Sequence, residues 1–368
     1  MSQPEPDMQP NVQDAHRLIS AGDFGPAEDV CRDIIARDPD EPDGHSLLGF
    51  LMVRSGDFAG AVHHAEQVVR LRPASAPALA NLARALVFNQ EFDRAVACLD
   101  RAAVLDPVWP QTSIIAAEAL TEQGRFSAAA ARCAAGLLIS PGNYDLVSIQ
   151  ADATLFMGHA PPALAMLRSL LARHPTDLRL YSNLAHYMNY LPGANPREVL
   201  EAHKAYARVL TRHHPYSGPR AERARARPGG RLRVGIISPD LRCHSVAFFI
   251  EPFFEHHDRE KIELFAYYTR SRADGFTQRL RSFAGHWREF SNTPAAAIAA
   301  RIREDGIDVL IDLAGHTRGH SLEVMRCYPA PVQVTYLGYP NTTGMGSIGY
   351  RIVDSLTDPP GELSLIHI

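Results

Sequence analysis

Leu48-Gly49-Phe50-Leu51-Met52-Val53-Arg54-Ser55-Gly56-Asp57-Phe58-Ala59-Gly60-Ala61 reads as the end of one helix, a glycine turn and the start of a second helix. The pattern returns every 34 residues: the turn falls at Gly22, Gly56, Gln90, Gly124 and Gly158, and a proline closes each unit at Pro39, Pro73, Pro107, Pro141 and Pro175. Ala27, Ala61, Ala95, Ala129 and Ala163 keep the same phase, and Phe24, Phe58, Phe92 and Phe126 follow the turn by two residues, the run failing at Ala160. Glycine suits the turn because it reaches backbone angles that cost other residues energy. Proline has no amide to donate and cannot continue a helix. Small Gly49, Ala83, Ala117, Ala151 and Ala185 let the first helix of each pair approach its neighbour, with Leu48, Leu82 and Leu184 filling the core one position earlier.

This period and these columns resemble the tetratricopeptide repeat family, with units at 8–41, 42–75, 76–109, 110–143 and 144–177. Each such unit buries its apolar face against its neighbours, so residues 8–177 are expected to form an α-solenoid whose concave surface holds other proteins. Position six of the first helix faces that surface and carries Leu47, Asn81, Ile115, Ile149 and Asn183. Asn81 and Asn183 can bond the backbone of an extended acceptor peptide, or simply stand on solvated helix faces.

Composition sets the frame. At 368 residues the chain exceeds one hydrophobic core, and 46% apolar residues suit packed domains. With 37 basic against 41 acidic residues the net charge is −4, which leaves no electrostatic footprint for nucleic acid or an anionic membrane. Cys31, Cys98, Cys133, Cys243 and Cys327 are scattered and never spaced as CxxC, so neither a disulfide framework nor a zinc site is indicated. No apolar run reaches spanning length, and Met1 to Asp14 lacks the features of a secretory signal. A soluble, cytoplasmic protein is expected, with residues 1–7 disordered.

Beyond the repeats, Leu178–Asn189 reads as one more first helix, and Asn195-Pro196 as an N-cap and first-turn pair, giving an irregular helical pair and junction over 178–210. Residues 211–230 shift to Arg, Pro, Gly and His, with Arg220, Arg223, Arg225 and Arg227 closely spaced; without interleaved aromatics this reads as a solvated linker rather than a nucleic-acid patch. Strands then alternate with helices over 231–361: Leu232–Ser238, Glu263–Thr269, Asp308–Leu313, Val332–Leu337 and Tyr350–Asp354, with a helix from Ser245 and another capped by Thr293 with Pro294 at its first position. Such alternation implies a doubly wound parallel sheet, which binds ligands beyond the carboxyl ends of its strands. Three loops leave those ends: Ser238–Ser245, Ala314–Gly319 and Gly338–Gly344. Neither GxGxxG after the first strand nor GxxxxGK[ST] occurs, so dinucleotide and P-loop chemistry lack their phosphate cradle. His316 and His320 have metal-like spacing, but Gly315 and Gly319 work against a helix there and no carboxylate sits nearby, so no metal is assigned.

Leu232-Arg-Val-Gly-Ile-Ile-Ser-Pro-Asp-Leu-Arg-Cys-His-Ser245, Glu304-Asp-Gly-Ile-Asp-Val-Leu-Ile-Asp-Leu-Ala-Gly-His-Thr317 and Pro329-Ala-Pro-Val-Gln-Val-Thr-Tyr-Leu-Gly-Tyr-Pro-Asn-Thr-Thr-Gly344 resemble the amino-terminal catalytic lobe of the protein O-GlcNAc transferase and SPINDLY family. The resemblance implies an α-solenoid of tetratricopeptide repeats followed by an α/β, Rossmann-like lobe of GT-B type. It implies a metal-independent protein O-glycosyltransferase that moves a sugar from UDP-GlcNAc or GDP-fucose to Ser or Thr. His244 matches the family's first-lobe histidine, as base or as positioning group, unless it only caps the helix that follows. Leu337, Gly338, Tyr339 and Pro340 match the loop lining the donor-sugar pocket, unless they form an ordinary tight turn. Asp240, His316 and Thr317 fall in the same crevice. In the family's repeats the Asn81 and Asn183 column is a ladder of asparagines, of which three rungs here are apolar. The family's second lobe supplies most nucleotide contacts, and Glu362–Ile368 departs from its continuation, so the chain alone is expected to transfer no sugar at an appreciable rate. The other reading open to the sequence is a non-catalytic repeat scaffold.

Overall fold

The computed structural model describes residues 11–221, 230–270 and 273–354. The expectations for residues 1–7, for Arg223, Arg225 and Arg227, and for the tail 362–368 lie outside them. The chain divides into two compact units, Met1–His159 and Ala160–Ile368. The division falls within the fifth repeat, between its two helices.

The first unit holds α1 (Val12–Ala21), α2 (Phe24–Arg37), α3 (Pro42–Ser55), α4 (Phe58–Leu71), α5 (Ala76–Phe88), α6 (Phe92–Leu105), α7 (Pro110–Glu122), α8 (Phe126–Ile139) and α9 (Tyr144–Phe156). The turn column behaves as its chemistry requires: Gly22, Gly56, Gly124 and Gly158 have φ of 84°, 88°, 72° and 88°, and Gln90 is forced to 65°. A side chain in that left-handed region costs about 1–2 kcal/mol, part of which glycine returns by loosening the unfolded chain. Gln90→Gly is therefore expected to stabilise the first unit by up to about 1 kcal/mol. A urea midpoint that stays put or falls would show that Gln90 is held by contacts outweighing the backbone cost.

Consecutive repeats meet through small and aromatic residues. Ala27, Ala61, Ala95 and Ala129 are buried, as are Gly49, Ala83, Ala117 and Ala151. Phe58 stacks on Phe88 of the following repeat at 5.6 Å and 10°, Phe126 on Phe156 at 5.0 Å and 21°, and in the first such pair the Arg54 guanidinium lies 3.9 Å over the Phe24 ring. The three apolar rungs of the position-six column belong to packing: Ile115 is buried, and Leu47 and Ile149 pack against neighbouring core clusters.

The second unit begins with α10 (Ala160–Arg173), α11 (Leu178–Met188) and α12 (Pro196–His213), the last started by Asn195, whose side chain accepts from the Arg197 amide. It continues with β1 (Leu232–Ser238), α13 (Ser245–His256), β2 (Ile262–Tyr268), α14 (Gly275–Phe283), β3 (His286–Glu289), α15 (Ala295–Glu304), β4 (Val309–Asp312), α16 (Leu322–Arg326), β5 (Val332–Tyr336) and β6 (Tyr350–Ile352). The six strands form one parallel sheet in the order β3-β2-β1-β4-β5-β6. Side chains alternate between two apolar faces. Val234, Ile236, Leu264, Ala266 and Ile311 share a core with Ile250 and Phe254 of α13 and Leu280 of α14. Ile237, Phe265, Tyr267 and Leu310 share another with Ile298 and Ile302 of α15 and Val324 and Met325 of α16. Burial on both faces is what a parallel sheet flanked by helices requires.

One sequence expectation changes, at the start of α15. Pro294, not Thr293, is the N-cap of α15, and the Thr293 hydroxyl donates instead to the Ser291 carbonyl. The described part of the linker after α12 is mostly exposed but touches the lobe at three points: Tyr216 packs on the α15 core, Arg220 lies 4.0 Å over the Tyr328 ring, and the Ala221 amide bonds the Tyr328 carbonyl. The strand β3 and the helices α14 and α16 add to the expected elements. No described helix is long and apolar enough to cross a membrane.

Candidate active site

Register brings the crevice loops together. Ile237 pairs with Asp312, and Asp312 with Thr335, so β1, β4 and β5 end side by side at the point where the strand order reverses, the usual ligand crevice of such a sheet. The loops then touch. A side chain on Gly319 would meet Pro239, one on Gly315 would strike the Tyr339 ring, and one on Gly338 would strike the Leu313 carbonyl and press on Val246. Leu337 before it takes φ 68°, and the Gly338 amide bonds back to the Tyr336 carbonyl at 2.8 Å. This is a strained, close-packed corner rather than an ordinary turn.

His244 is the N-cap of α13. Its Nδ1 accepts the Val246 amide at 3.2 Å and lies 4.0 Å from the buried Asp240 carboxylate, and the ring is about a third exposed. An amide hydrogen at Nδ1 places the proton of the neutral ring on Nε2. With Nδ1 so engaged, the open edge of the neutral His244 ring carries a hydrogen-bond donor, Nε2–H. Asp240 is itself held by its amide, which bonds the Ser238 hydroxyl at 3.0 Å.

His316 and Thr317 do not stand at an open edge. The Thr317 hydroxyl bonds the Ala314 carbonyl at 2.8 Å. His316 is 2% exposed and belongs to a chain of buried hydrogen bonds whose direction is fixed at both ends. The Leu322 amide donates to His320 Nδ1 at 3.4 Å, and His320 Nε2 donates to the Ser182 hydroxyl at 2.9 Å. Ser182 donates to His316 Nδ1 at 3.1 Å, and His316 Nε2 donates to the Thr343 carbonyl at 2.9 Å. Both rings are neutral in this arrangement: burial pushes His320 down to about 4 and His316 further below the ordinary histidine range. Every nitrogen of the pair is used, and among the described residues no group of three or more His, Cys, Asp or Glu is placed to hold a metal.

A second chain holds the other loop. His203 on α12 is fully buried; its Nδ1 donates to the Val199 carbonyl at 2.7 Å and its Nε2 accepts the Tyr339 hydroxyl at 2.7 Å. Asn189 donates to the same hydroxyl at 2.9 Å and accepts from Asn341 at 2.8 Å. Burial takes His203 down to about 4 and raises Tyr339. Asp312, fully buried at the end of β4, accepts the Gly315 amide at 2.8 Å, and burial outweighs its hydrogen bonds to raise it to about 6. Ser182, Asn189, His203 and Asp312 are absent from the site residues picked from sequence, and His320 enters there only through its metal-like spacing with His316. Asp312, a carboxylate inside an apolar strand, could have been found there; the rest lie on helices or loops far from their partners in sequence.

Among the remaining expected residues, Asn81 is exposed on α5 in the first unit and Asn183 half-buried on α11 in the second. A cavity of about 280 Å³ opens beside the crevice at the ends of β2 and β3, lined by Thr269, Asn292, His320, Ser321 and Glu323 among others; it touches the crevice loops at Gly319 but holds neither His244 nor Leu337–Pro340.

With this geometry in view, comparison with known proteins gives concordant results. The model of glycosyl transferase family 41 matches residues 179–365, and a tetratricopeptide repeat model matches residues 52–111. The probable UDP-N-acetylglucosamine–peptide N-acetylglucosaminyltransferase SPINDLY of Arabidopsis thaliana is 42% identical over 178 residues, 47% of this chain and 19% of that protein. The UDP-N-acetylglucosamine–peptide N-acetylglucosaminyltransferase of Caenorhabditis elegans is 37% identical over 142 residues, 38% of this chain and 12% of that protein. The structure of an O-GlcNAc transferase mutant from Thermobaculum terrenum superposes with TM-score 0.60 at 27% identity, covering 89% of this chain and 56% of that one. The chain thus spans about a fifth or less of the length of these curated relatives.

Proposed function

We propose that this chain, which belongs to glycosyl transferase family 41, supplies the acceptor-holding repeats and the first catalytic lobe of a protein O-glycosyltransferase. The observation that carries the reading is the meeting of the His244, Ala314–Gly319 and Leu337–Pro340 loops at the strand-order reversal of a parallel sheet. The donor is a nucleotide sugar, UDP-GlcNAc, the sugar nucleotide in the relatives' names, or GDP-fucose. The acceptor is a Ser or Thr hydroxyl on a protein held along the repeats, with Asn81 and Asn183 as candidate backbone contacts. A cytoplasmic location belongs to the same proposal, supported by five cysteines that are all free.

In such a transfer the acceptor oxygen bonds to the anomeric carbon as the bond from that carbon to the nucleotide diphosphate breaks, and the acceptor's proton passes to the departing diphosphate or to water. His244 serves this best as a positioning donor. Its Nε2–H can orient an oxygen of donor or acceptor, whereas taking a proton at Nδ1 would break the cap on α13. Gly338 and Leu337 let backbone line the sugar, since no side chain fits between Gly338 and β4.

The test is sugar transfer to a Ser/Thr peptide from each donor, with this chain alone and with the chain joined to the catalytic remainder of the Thermobaculum relative. Transfer by the joined protein supports the reading; a folded joined protein inactive with both donors leaves the repeat scaffold. In the active form His244→Asn, which keeps a capping oxygen, and His244→Ala are both expected to lower turnover by roughly 10²-fold, and only the alanine variant to lose about 1 kcal/mol of stability. Unchanged turnover in the asparagine variant would reduce His244 to a helix cap.

A further inference from the structure

We infer that His203 and Asn189, on the helices between the repeats and the sheet, are positioning residues that hold the sugar-pocket loop through the Tyr339 hydroxyl. The inference rests on the reading of Leu337–Pro340 as that loop and extends it to a part of the chain outside the catalytic sheet.

The loop needs holding. Leu337 sits at φ 68°, a left-handed conformation that a residue with a side chain rarely adopts, so a released loop gains energy by relaxing. Relaxation would carry Gly338 away from the Leu313 carbonyl and Val246, the contacts that set its backbone at the crevice. Within the sheet Arg351 of β6 bonds the Pro340 carbonyl at 2.9 Å, but the strand β5 ends at Tyr336 and the next strand begins only at Tyr350.

The restraint comes from α11 and α12. Tyr339 is 3% exposed, and its hydroxyl is bonded from both sides: it donates to His203 Nε2 at 2.7 Å and accepts from Asn189 at 2.9 Å. The His203 tautomer is not free to vary, since its Nδ1 hydrogen is committed to the Val199 carbonyl at 2.7 Å. Asn189 also takes the Asn341 amide group at 2.8 Å, so one side chain ties two residues of the loop. At the far end, Gly344 lies with φ 66° so close to the His203 backbone that no side chain fits. Both ends of the loop therefore rest on the same turn of α12. Removing one partner of so buried a network leaves an unpaired polar group, which makes the arrangement all-or-none.

The experiment compares Tyr339→Phe, which deletes one hydroxyl and keeps the ring, with His203→Leu and His203→Gln, the last retaining an acceptor for Tyr339. Amide hydrogen exchange on the 368-residue chain reads the loop directly. Exchange at 337–343 is expected to rise about tenfold in the phenylalanine and leucine variants, the effect of losing one net hydrogen bond, with β1 and β2 unchanged and the glutamine variant near the parent. In the joined, active form the same two variants are expected to raise the donor KM about tenfold while the peptide KM holds. Parental exchange at 337–343 in Tyr339→Phe would overturn the anchoring, and raised exchange with an unchanged donor KM would overturn its role in the sugar pocket. An inactive parent form would instead sink the functional reading, with the exchange measurement still deciding whether His203 and Asn189 hold the loop.

Discussion

Acidification from pH 7.5 to 4.5 is expected to unfold the second unit well before the first. His203 and His320 are driven by burial to about 4, and His316 lower still, while an unfolded histidine titrates near 6.5. A depressed histidine means that the unfolded chain binds protons the folded chain refuses. Stability is therefore full above pH 6.5 and falls as pH drops toward 4. Asp312 works in the opposite sense, because burial raises it to about 6 and the folded state takes up its proton first as pH falls. His186 in the same unit is lowered by burial as well, so the histidines outnumber the one raised carboxylate by at least two protons, or about 3 kcal/mol lost per pH unit at the steepest. Over two pH units this approaches the whole stability of a typical domain. In the first unit His64 is shifted comparably, to about 4 by burial and by His45, so that unit should lose far less. Trp287 lies in the second unit and Trp109 in the first, so urea midpoints followed by fluorescence in a Trp109→Phe chain report the second unit alone. A midpoint that stays flat between pH 7.5 and 5 would show that these histidines are solvated or charged in the folded protein.

Gly338→Ala should be the most damaging single methyl in the lobe. The new carbon would overlap the Leu313 carbonyl oxygen and press on Val246, both fixed by buried structure: Leu313 leads out of β4, and Val246 opens α13 under its His244 cap. Backbone cannot yield as a flexible side chain does, so the cost is expected at about 3 kcal/mol or more, at or beyond the upper end for overpacking. For a unit of this size that lowers the melting temperature by about 6 °C or more. Gly346→Ala is the control in the same loop region, because open space surrounds that position and little change is expected. Equal melting temperatures for the two variants would mean that the corner at Gly338 is not close-packed.

The parts legible in the sequence are those whose physics is local. A left-handed turn residue, a proline after a helix and a small residue at a helix crossing act within a few residues or one repeat, so their period shows the helical pairs, including Gln90 in the turn column. The strands β1, β2, β4 and β5 are mostly buried and largely apolar runs, and announce themselves in the same way. The strand β3, His-Trp-Arg-Glu at a half-exposed sheet edge, carries no such signal. The helix α14 carries one in the capping box of Asp274 and Thr277.

By itself, then, the sequence determined the repeat architecture, the parallel sheet and the three loops at its crevice, because each follows from periodicity or from a strand's own apolarity. Which side chains those loops depend on was decided by tertiary structure. Ser182 meets His316 across 134 residues, His203 meets Tyr339 across 136 and Asn189 meets Asn341 across 152. No local rule relates such positions, since they become neighbours only when α11 and α12 pack on the lobe. The contact that His244 makes was decided the same way: its residue type allows a base, a donor or a cap, and only the folded chain shows its Nδ1 accepting the Val246 amide.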